Sequence, residues 1–278
     1  MKIAYTMNGL VGGFEGKNQV VNSSEDSILI LEYLSSILND NIIKPNDIDI
    51  FLFSWHTNFE DQFNKFLSPK KMKLEPQIDF DIPYHLQTDT PWLNGRVKAH
   101  YSRWYGFKEV IKLVDEYEVE NNFQYDLVVN SRFDVCWNRP FLFDKLDNNK
   151  FHIPMHPDMP EYGWPNTTSE IIDHVFASNS ENMKSYSSMF DNLDQYTLPG
   201  ECPTWHLISS HFLMVWHLNK QGLLSEDYVV KSFTSWGSLP MVDQIRRVGS
   251  AQADLNIDYD LFRYRNLSKE KVRIELNG

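Results

Sequence analysis

The segment YDLVVNSRFDVCW, residues 125–137, decides how the rest of the chain is interpreted. Its apolar run at 127–129 predicts a strand that is buried on both faces. The strand ends with Arg132 and Asp134, and on an extended backbone two residues that are two positions apart point to the same side. An arginine and an aspartate at such a place indicate either a structural ion pair or a ligand site, and the sequence leaves both alternatives open.

Strand and helix patterns alternate on both sides of that segment. Apolar runs predict strands at 2–7, 47–55, 126–130, 151–154 and 173–178. Helical spacing predicts helices at 23–40, 58–67, 96–121, 180–193 and 201–221, the last one ended by Gly222. Prolines between 68 and 95 predict irregular structure there. The alternation favours an α/β fold with a mostly parallel central sheet flanked by helices. We expect one domain over 1–278, with a poorly assigned accessory region at 223–278.

Composition excludes several classes of function. The formal net charge is -12 and the chain has no basic run, which argues against a nucleic-acid partner. The sequence has no apolar stretch near the ~20 residues of a transmembrane segment and no signal peptide, so a cytoplasmic protein is expected. The two cysteines, Cys136 and Cys202, lack the spacing of a disulfide framework or a zinc site, which indicates small buried thiols. The eight tryptophans suit a sugar-binding cleft and a Trp-rich core equally well.

The loops that follow the predicted strands form the candidate site, because open α/β sheets bind ligands at the carboxyl ends of their strands. There are four such loops: three begin with Asn8-Gly9, Ser54-Trp55-His56 and Arg132-Phe133-Asp134, and the fourth is the loop at 155–165. The glycine-rich first loop has neither the Walker spacing nor the Gly-x-Gly-x-x-Gly pattern, so it is a weak phosphate motif. Trp55 suits stacking on a base or a sugar as well as packing in the core.

Four stretches, taken in order, carry a resemblance to a known family. They are DIDIFLFSWHT (47–57), HYSRWYGFKEVIKLVDEYEVENNFQYDLVVNSRFDV (100–135), DHVFASNSENMKSYSSMF (173–190) and LPGECPTWHL (198–207). With them the chain resembles GT-A-fold nucleotide-sugar glycosyltransferases, in particular the bacterial and phage proteins of polysaccharide and lipopolysaccharide assembly, over roughly residues 1–222. The resemblance implies a Rossmann-like GT-A domain that binds a UDP-sugar or similar donor. It also implies a glycan or lipid-linked acceptor, with peripheral contact to a membrane as a possibility.

The resemblance further implies roles for individual residues. The family binds Mn²⁺ or Mg²⁺ through an Asp-x-Asp motif at this strand end, and here Arg132 replaces the first aspartate. Either Asp134 is the metal ligand, helped by the donor phosphates, or Arg132 supplies the positive charge itself. The expected donor-binding residues are Asn8, Gly9, Trp55, Arg96, Arg132 and Asp134.

Glu201 and Asp173 are the candidate catalytic bases, since transfer with inversion requires a group that takes the proton of the acceptor hydroxyl. Glu201 stands at the start of the helix predicted at 201–221, where a carboxylate serves equally well as a plain cap. If the enzyme retains configuration, neither carboxylate need act as a base. The residues Arg96, Lys98 and Arg103 suit either diphosphate binding or a solvated helix face.

Other candidates are weaker. His156 is a possible metal ligand, and EYGWPNTT (161–168) has the make-up of an acceptor loop or of an ordinary turn. Two rival functions also remain open. The missing first aspartate favours a non-catalytic nucleotide-sugar or carbohydrate-binding protein on the same fold. A glycoside hydrolase that uses Glu201 with Asp173 would need the two carboxyl groups within about 5–9.5 Å of each other and gives Arg132 no role.

Overall fold

The structure is a computed structural model that describes residues 1–11, 24–133, 135–137, 139–155, 173–202, 210–224, 229–236 and 261–263. Its strands are β1 (Ile3–Gly9), β2 (Ile48–Ser54), β3 (Lys71–Leu74), β4 (Leu127–Arg132), β5 (Val135–Trp137), β6 (Phe151–Met155), β7 (Val175–Ser178), β8 (Val229–Trp236) and β9 (Leu261–Arg263). Its α-helices are α1 (Ser24–Leu38), α2 (Glu60–Leu67), α3 (Pro91–Asn121), α4 (Ser180–Ser187), α5 (Met189–Tyr196) and α6 (Ser210–Lys220). A π-helical turn at Asn39–Ile43 follows α1, and 3₁₀ turns lie at Tyr84–Leu86 and Phe143–Lys145.

The strands form a mixed sheet in the order β3-β2-β1-β4-β7-β6-β8-β9-β5. The first four are parallel to one another, whereas β7 is antiparallel to both β4 and β6, and β5 is antiparallel to β9. The α/β class is therefore confirmed, but the prediction of a mostly parallel sheet is wrong. A buried strand is apolar whichever way its neighbours run, so the hydrophobic pattern carries no information on strand direction.

Helices cover both faces of the parallel half of the sheet. Alternate residues of one strand enter different cores: Leu52 of β2 packs on the side of α1 and α2, and Phe53 packs on the side of α3. The same alternation places Val129 and Val128 of β4 in those two cores. Residues from α4, α5 and α6 extend the α3 side. Burial on both faces explains the unbroken apolar runs of β2 and β4.

Several element boundaries differ from the predictions. The long helix begins at Pro91 rather than at 96, with the proline at its first position, and the region expected to be irregular contains β3. The helix predicted at 180–193 is two helices, α4 and α5. Glu201 lies in a turn after α5, and helix α6 begins at Ser210, so Glu201 does not stand at the described start of a helix. Gly222 has a φ of 71°, as the predicted cap requires.

The sequence predicted two buried cysteine thiols and no transmembrane segment. Cys202 is fully buried, whereas the side chain of Cys136 lies outside the described part of the structure. No helix within the described ranges is long and apolar enough to cross a membrane.

Helix α3 approaches the sheet closely at Gly106. A Cβ atom on Gly106 would lie 3.0 Å from Cδ1 of Phe53 and 3.1 Å from Nδ2 of Asn8. Phe53 is fully buried and makes edge contacts with Trp55 and Tyr105, so its ring has little room to move away. Because Gly106 has no side chain, the turn of α3 that carries Arg103 can lie close to the ends of β1 and β2.

The substitution Gly106→Ala is expected to lower the free energy of unfolding by about 1 kcal/mol, because the strain of overpacking exceeds the helix propensity that alanine adds. Gly95→Ala is the matched control in the same helix, since a Cβ there meets nothing within 4 Å. That change is expected to raise the free energy of unfolding by up to about 1 kcal/mol. Urea denaturation of the two variants measures whether each substitution raises or lowers the free energy of unfolding. Equal stabilisation by the two alanines would contradict the close approach of α3 to Phe53 and Asn8.

Candidate functional site

The carboxyl ends of β1, β2 and β4 meet at one edge of the sheet. Asn8 is in register with Arg132, and Gly9 is in register with Ser54. The order of the strands reverses here, because β2 and β3 lie on one side of β1 and β4 lies on the other. In open α/β sheets this edge is where ligands bind. The ends of β1, β2 and β4, where the predicted site loops begin, therefore lie side by side.

Among the described residues, the Asp173 carboxylate lies close to three side chains that carry or can carry positive charge. Its Oδ2 atom is 3.0 Å from Nη1 of Arg132 and 3.8 Å from Nε of Arg103, and its Oδ1 atom is 3.3 Å from Nε2 of His211. These four residues are called the Asp173 cluster below. They come from four places in the fold: the end of β4, the middle of α3, the segment just before β7, and the first turn of α6.

A buried amide network fixes the guanidinium of Arg103. Its Nη1 donates to Oδ1 of Asn8 at 2.8 Å and its Nη2 donates to Oδ1 of Asn130 at 3.2 Å. Nδ2 of Asn8 donates to the backbone oxygen of Arg103, and Nδ2 of Asn130 donates to Oγ1 of Thr6. Because each amide both donates and accepts, the network holds the arginine at one orientation.

The cationic side chains of the Asp173 cluster stabilise the ionised form of the Asp173 carboxylate. Burial by itself raises the pKa of the Asp173 carboxyl, but Arg132, the hydrogen bond from His211, and Arg103 outweigh burial and hold that pKa well below its usual range. Asp173 is therefore ionised at any ordinary pH. Arginine also stays charged, so among these four side chains the two arginines outnumber the carboxylate. This grouping of positive charge contrasts with the formal net charge of -12 of the whole chain.

The structure brings some of the predicted site residues together. Asn8, Gly9 and Arg132 lie at the sheet edge, and Asp173 joins them through Arg132. The sequence suggested Asp134 as a partner for Arg132, and the structure pairs Arg132 with Asp173. Asp134 itself, His156 and the segment 161–168 lie outside the described residues.

Three other predicted residues are not part of the Asp173 cluster. Trp55 is 6% exposed and one face of its ring stacks on Tyr105, so the core packing that the sequence left open is what the structure shows. Arg96 lies two helical turns before Arg103, about 10 Å along the axis of α3. The Oε1 atom of Glu201 is 3.1 Å from Nζ of Lys220, at the end of α6 opposite to His211.

The two predicted catalytic carboxylates, Asp173 and Glu201, contact residues at opposite ends of α6. His211, which contacts Asp173, and Lys220, which contacts Glu201, stand about 13 Å apart along the helix axis. Asp173 and Glu201 are therefore attached to opposite ends of one helix. The arrangement gives no support to a hydrolase in which they act as a facing pair.

Sequence reasoning missed Asn130, Thr6 and the role of His211. Asn130 was detectable in principle, because an amide inside a run as apolar as that of β4 needs a buried partner. The position of His211 in the sequence gave no signal of this contact. Its contact with Asp173 depends on where the fold places α6.

A divalent cation does not fit the described part of the edge. Hard cations bind carboxylates and other oxygen ligands, whereas Asp173 is already engaged by Arg132, Arg103 and His211. Within the described ranges no group of three His, Cys, Asp or Glu side chains is arranged to hold a metal.

Comparison with known proteins adds no assignment. No protein-family model matches the chain, and no curated protein is similar to it in sequence. The relation to glycosyltransferases therefore stays a resemblance carried by the four stretches of sequence.

The substitution Asp173→Asn is expected to lower the free energy of unfolding by about 3–5 kcal/mol at neutral pH, because it leaves two buried arginines without their carboxylate. The matched control is Asp191→Asn, which removes an exposed ion pair with Lys108 and should cost less than about 1 kcal/mol. Urea denaturation at pH 7 measures both values, and equal effects would contradict the cluster.

The difference in the free energy of unfolding between the wild type and Asp173→Asn should depend on pH, because the pKa of Asp173 is lowered. A carboxyl whose folded pKa lies below its unfolded value of about 3.9 stabilises the fold fully above that value. The stabilisation is lost as the pH falls through the folded pKa. The wild type and Asp173→Asn should therefore converge in stability only below pH about 4, and convergence between pH 5 and 4 would contradict the assignment.

Proposed function

We propose that the protein is a GT-A-like glycosyltransferase, which moves a sugar from a nucleoside-diphosphate donor to a glycan or lipid-linked acceptor. The observation that carries the proposal is the pair of guanidinium groups, Arg103 and Arg132, held by Asp173 at the sheet edge where the strand order reverses. This pair would bind the diphosphate of the donor.

The parallel half of the sheet supports this reading. The order β3-β2-β1-β4, with all four strands parallel, is that of the first half of doubly wound nucleotide-binding folds. In those folds the nucleotide lies at the carboxyl edge beside the first strand. Asn8 and Gly9 occupy this place, and the φ of 119° at Gly9 is one that residues with a side chain rarely adopt.

The chemistry of the leaving group supports it as well. When the bond from the sugar to the diphosphate breaks, negative charge develops on the phosphate oxygens, and donors already in position stabilise it best. Guanidinium groups match phosphate oxygens in geometry and stay charged at every ordinary pH. Arg103 is only 10% exposed and Arg132 13%, so both act in surroundings of low dielectric constant.

Arginine in place of the first aspartate of the family motif also favours the second candidate, a nucleotide-sugar or carbohydrate-binding protein without turnover. In that case the site would bind the donor through the same arginines. The two candidates differ in one property only, which is whether the nucleoside diphosphate is released from a bound nucleotide sugar.

The proposal is tested by thermal denaturation of the protein with UDP, GDP, dTDP and CDP and with their sugar derivatives, in EDTA and separately in Mn²⁺. A ligand at 100 times its dissociation constant should add about 2.7 kcal/mol to the free energy of unfolding. We expect one nucleoside diphosphate to give such a shift in EDTA. The shift should be absent in Arg132→Gln and unchanged in Lys44→Gln, whose lysine forms an exposed pair with Asp40.

The other outcomes have distinct meanings. A shift that requires Mn²⁺ and is lost in Asp134→Ala would assign the diphosphate to a metal site on Asp134. Binding without release of the nucleoside diphosphate from any nucleotide sugar would favour the binding protein. The absence of a shift with every nucleotide, in EDTA and in Mn²⁺, would contradict the donor site altogether.

A further inference from the structure

We infer that a groove beside the N-terminal end of α3, called the α3 groove below, binds an uncharged carbohydrate chain, namely the sugar units of the acceptor glycan that do not react. The inference rests on the proposed function for the identity of the acceptor. The binding of a carbohydrate to the α3 groove needs neither donor nor turnover, so it can be measured separately.

The α3 groove has the size of a ligand site. It is lined by the loop between β3 and α3, over residues 80–82 and 87–89, and by Asn94 and Lys98 of α3 itself. Its volume is about 440 Å³. Pockets that hold small organic molecules have volumes of about 300–1,000 Å³, so the α3 groove has room for a carbohydrate ligand.

Helix α3 carries the α3 groove beyond the carboxyl ends of the strands. A Cβ atom on Gly106 would lie against Phe53, near the end of β2, whereas Tyr117 makes an edge contact with Phe51, earlier in the same strand. The helix therefore runs from the carboxyl edge of the sheet towards the amino edge. Its first turns stand past the strand ends, on the side where the Asp173 cluster lies.

The distance from the Asp173 cluster fits a neighbouring subsite rather than the reaction centre. Lys98 precedes Arg103 by five positions and Asn94 precedes it by nine, which is about 8 and 14 Å along the helix axis. A ligand in the α3 groove therefore lies beside the diphosphate proposed at Arg103 and does not replace it. A chain of sugars extends from one place to the other.

The carboxylates of the α3 groove require a ligand that donates hydrogen bonds. Asp81 and Asp89 are exposed, and neither makes a hydrogen bond or an ion pair with a residue of the described ranges. An ionised carboxylate only accepts, so its ligand must supply O–H or N–H groups. Sugar hydroxyl groups do so, whereas phosphate and carboxylate groups do not.

The charge of the α3 groove also opposes anions. Lys98 forms an ion pair with Asp79 outside the lining, so its positive charge is already compensated. Asp81 and Asp89 then leave an excess of negative charge. An acidic glycan, or the phosphates of a nucleotide or of a lipid carrier, would be repelled there. The α3 groove is thus opposite in charge to the arginine pair.

The apolar side chains of the α3 groove suit the C–H face of a sugar ring. Phe80 and Ile82 are half-buried and pack against the core on the α3 side. Tyr84 lies on the 3₁₀ turn between two lining residues, Ile82 and Gln87; it is 89% exposed and has no ring contact within the described part of the chain. Its ring offers an apolar face and a hydroxyl group together.

Hydrogen bonds form the α3 groove before a ligand arrives. Nε2 of Gln87 donates to the backbone oxygen of Ile82 at 2.9 Å, which closes the turn that carries Tyr84. Nδ2 of Asn94 donates to the backbone oxygen of Thr88 at 2.8 Å, and the backbone nitrogen of Thr88 donates to Oδ1 of Asn94 at 3.1 Å. Binding to a loop that is already ordered loses little conformational entropy.

The inference is tested by isothermal titration calorimetry of the whole protein with carbohydrates alone. The neutral probes are maltotriose, cellotriose, mannotriose and tri-N-acetylchitotriose, the acidic probe is trigalacturonate, and the nucleosides are uridine, guanosine, thymidine and cytidine. We expect at least one neutral trisaccharide to bind at millimolar concentration or below, and trigalacturonate not to bind.

Two substitutions in the α3 groove should weaken that binding. Tyr84→Ala removes the exposed ring and should raise the Kd about 3- to 10-fold. Asp89→Asn replaces a charged acceptor by a neutral one and should raise the Kd about 10-fold. The matched controls are Val119→Ala, an exposed apolar residue at the other end of α3, and Asp61→Asn, an exposed carboxylate on α2. Both controls should leave the Kd unchanged.

Several outcomes would overturn the inference. They are the absence of binding for every neutral trisaccharide, equal or tighter binding of trigalacturonate, and the same Kd in Tyr84→Ala as in Val119→Ala. Binding of a nucleoside that is lost in Tyr84→Ala would instead assign the α3 groove to the base of the donor.

The failure of the proposed function is seen separately. If a neutral trisaccharide binds as expected but no nucleotide stabilises the protein, the α3 groove stands as a carbohydrate site and the transferase proposal fails. If a nucleoside diphosphate is released from a nucleotide sugar, Tyr84→Ala should raise the KM for the bound trisaccharide as acceptor and leave the KM for the donor unchanged. An unchanged acceptor KM would overturn the acceptor role of the α3 groove and leave the transferase intact.

Discussion

The burial of the Asp173 carboxylate determines how the charged side chains at the carboxyl ends of the strands are arranged. An ionised aspartate that leaves water loses several kcal/mol of hydration, and only nearby cations can compensate for the loss. Arg132 and Arg103 do so for Asp173, with His211 on its other oxygen. Because these residues come from β4, α3 and α6, the ion cluster joins the parallel half of the sheet to the antiparallel strand β7 and to the last described helix.

In the proposed function, the same carboxylate would position the arginines for the diphosphate. Two guanidinium groups placed close together repel each other, and Asp173 reduces that repulsion while the amides of Asn8 and Asn130 fix the orientation of Arg103. The donors are then in place before any anion arrives, so binding needs little rearrangement. In the proposed function, one negative charge beside two positive ones would still allow a phosphate to bind and would limit the cost of the unliganded state.

Much of the fold could be predicted because it depends on patterns local in the chain. The apolar runs of β2 and β4 reveal strands buried on both faces, and the spacing along α3 reveals a helix that covers one of them. The placement of Arg132 at a strand end required only the length of the run. The mixed direction of the sheet was not predictable, because apolar runs look alike in parallel and antiparallel strands.

The candidate site could also be predicted only in part from the sequence. The alternation of strands and helices in the sequence predicted that Asn8, Gly9 and Arg132 would lie at one edge, because strands joined through helices are usually parallel and their carboxyl ends are then adjacent; the register of β1, β2 and β4 agrees. It also supplied Trp55 as an aromatic residue next to that edge, but burial against Tyr105 decided that the ring packs in the core. Only the tertiary structure paired Arg132 with Asp173, placed His211 on that carboxylate, and attached Glu201 to the opposite end of α6. These contacts join residues distant in the chain, and the physical reason is that the partner of a buried charge is selected by three-dimensional packing, which local patterns do not encode.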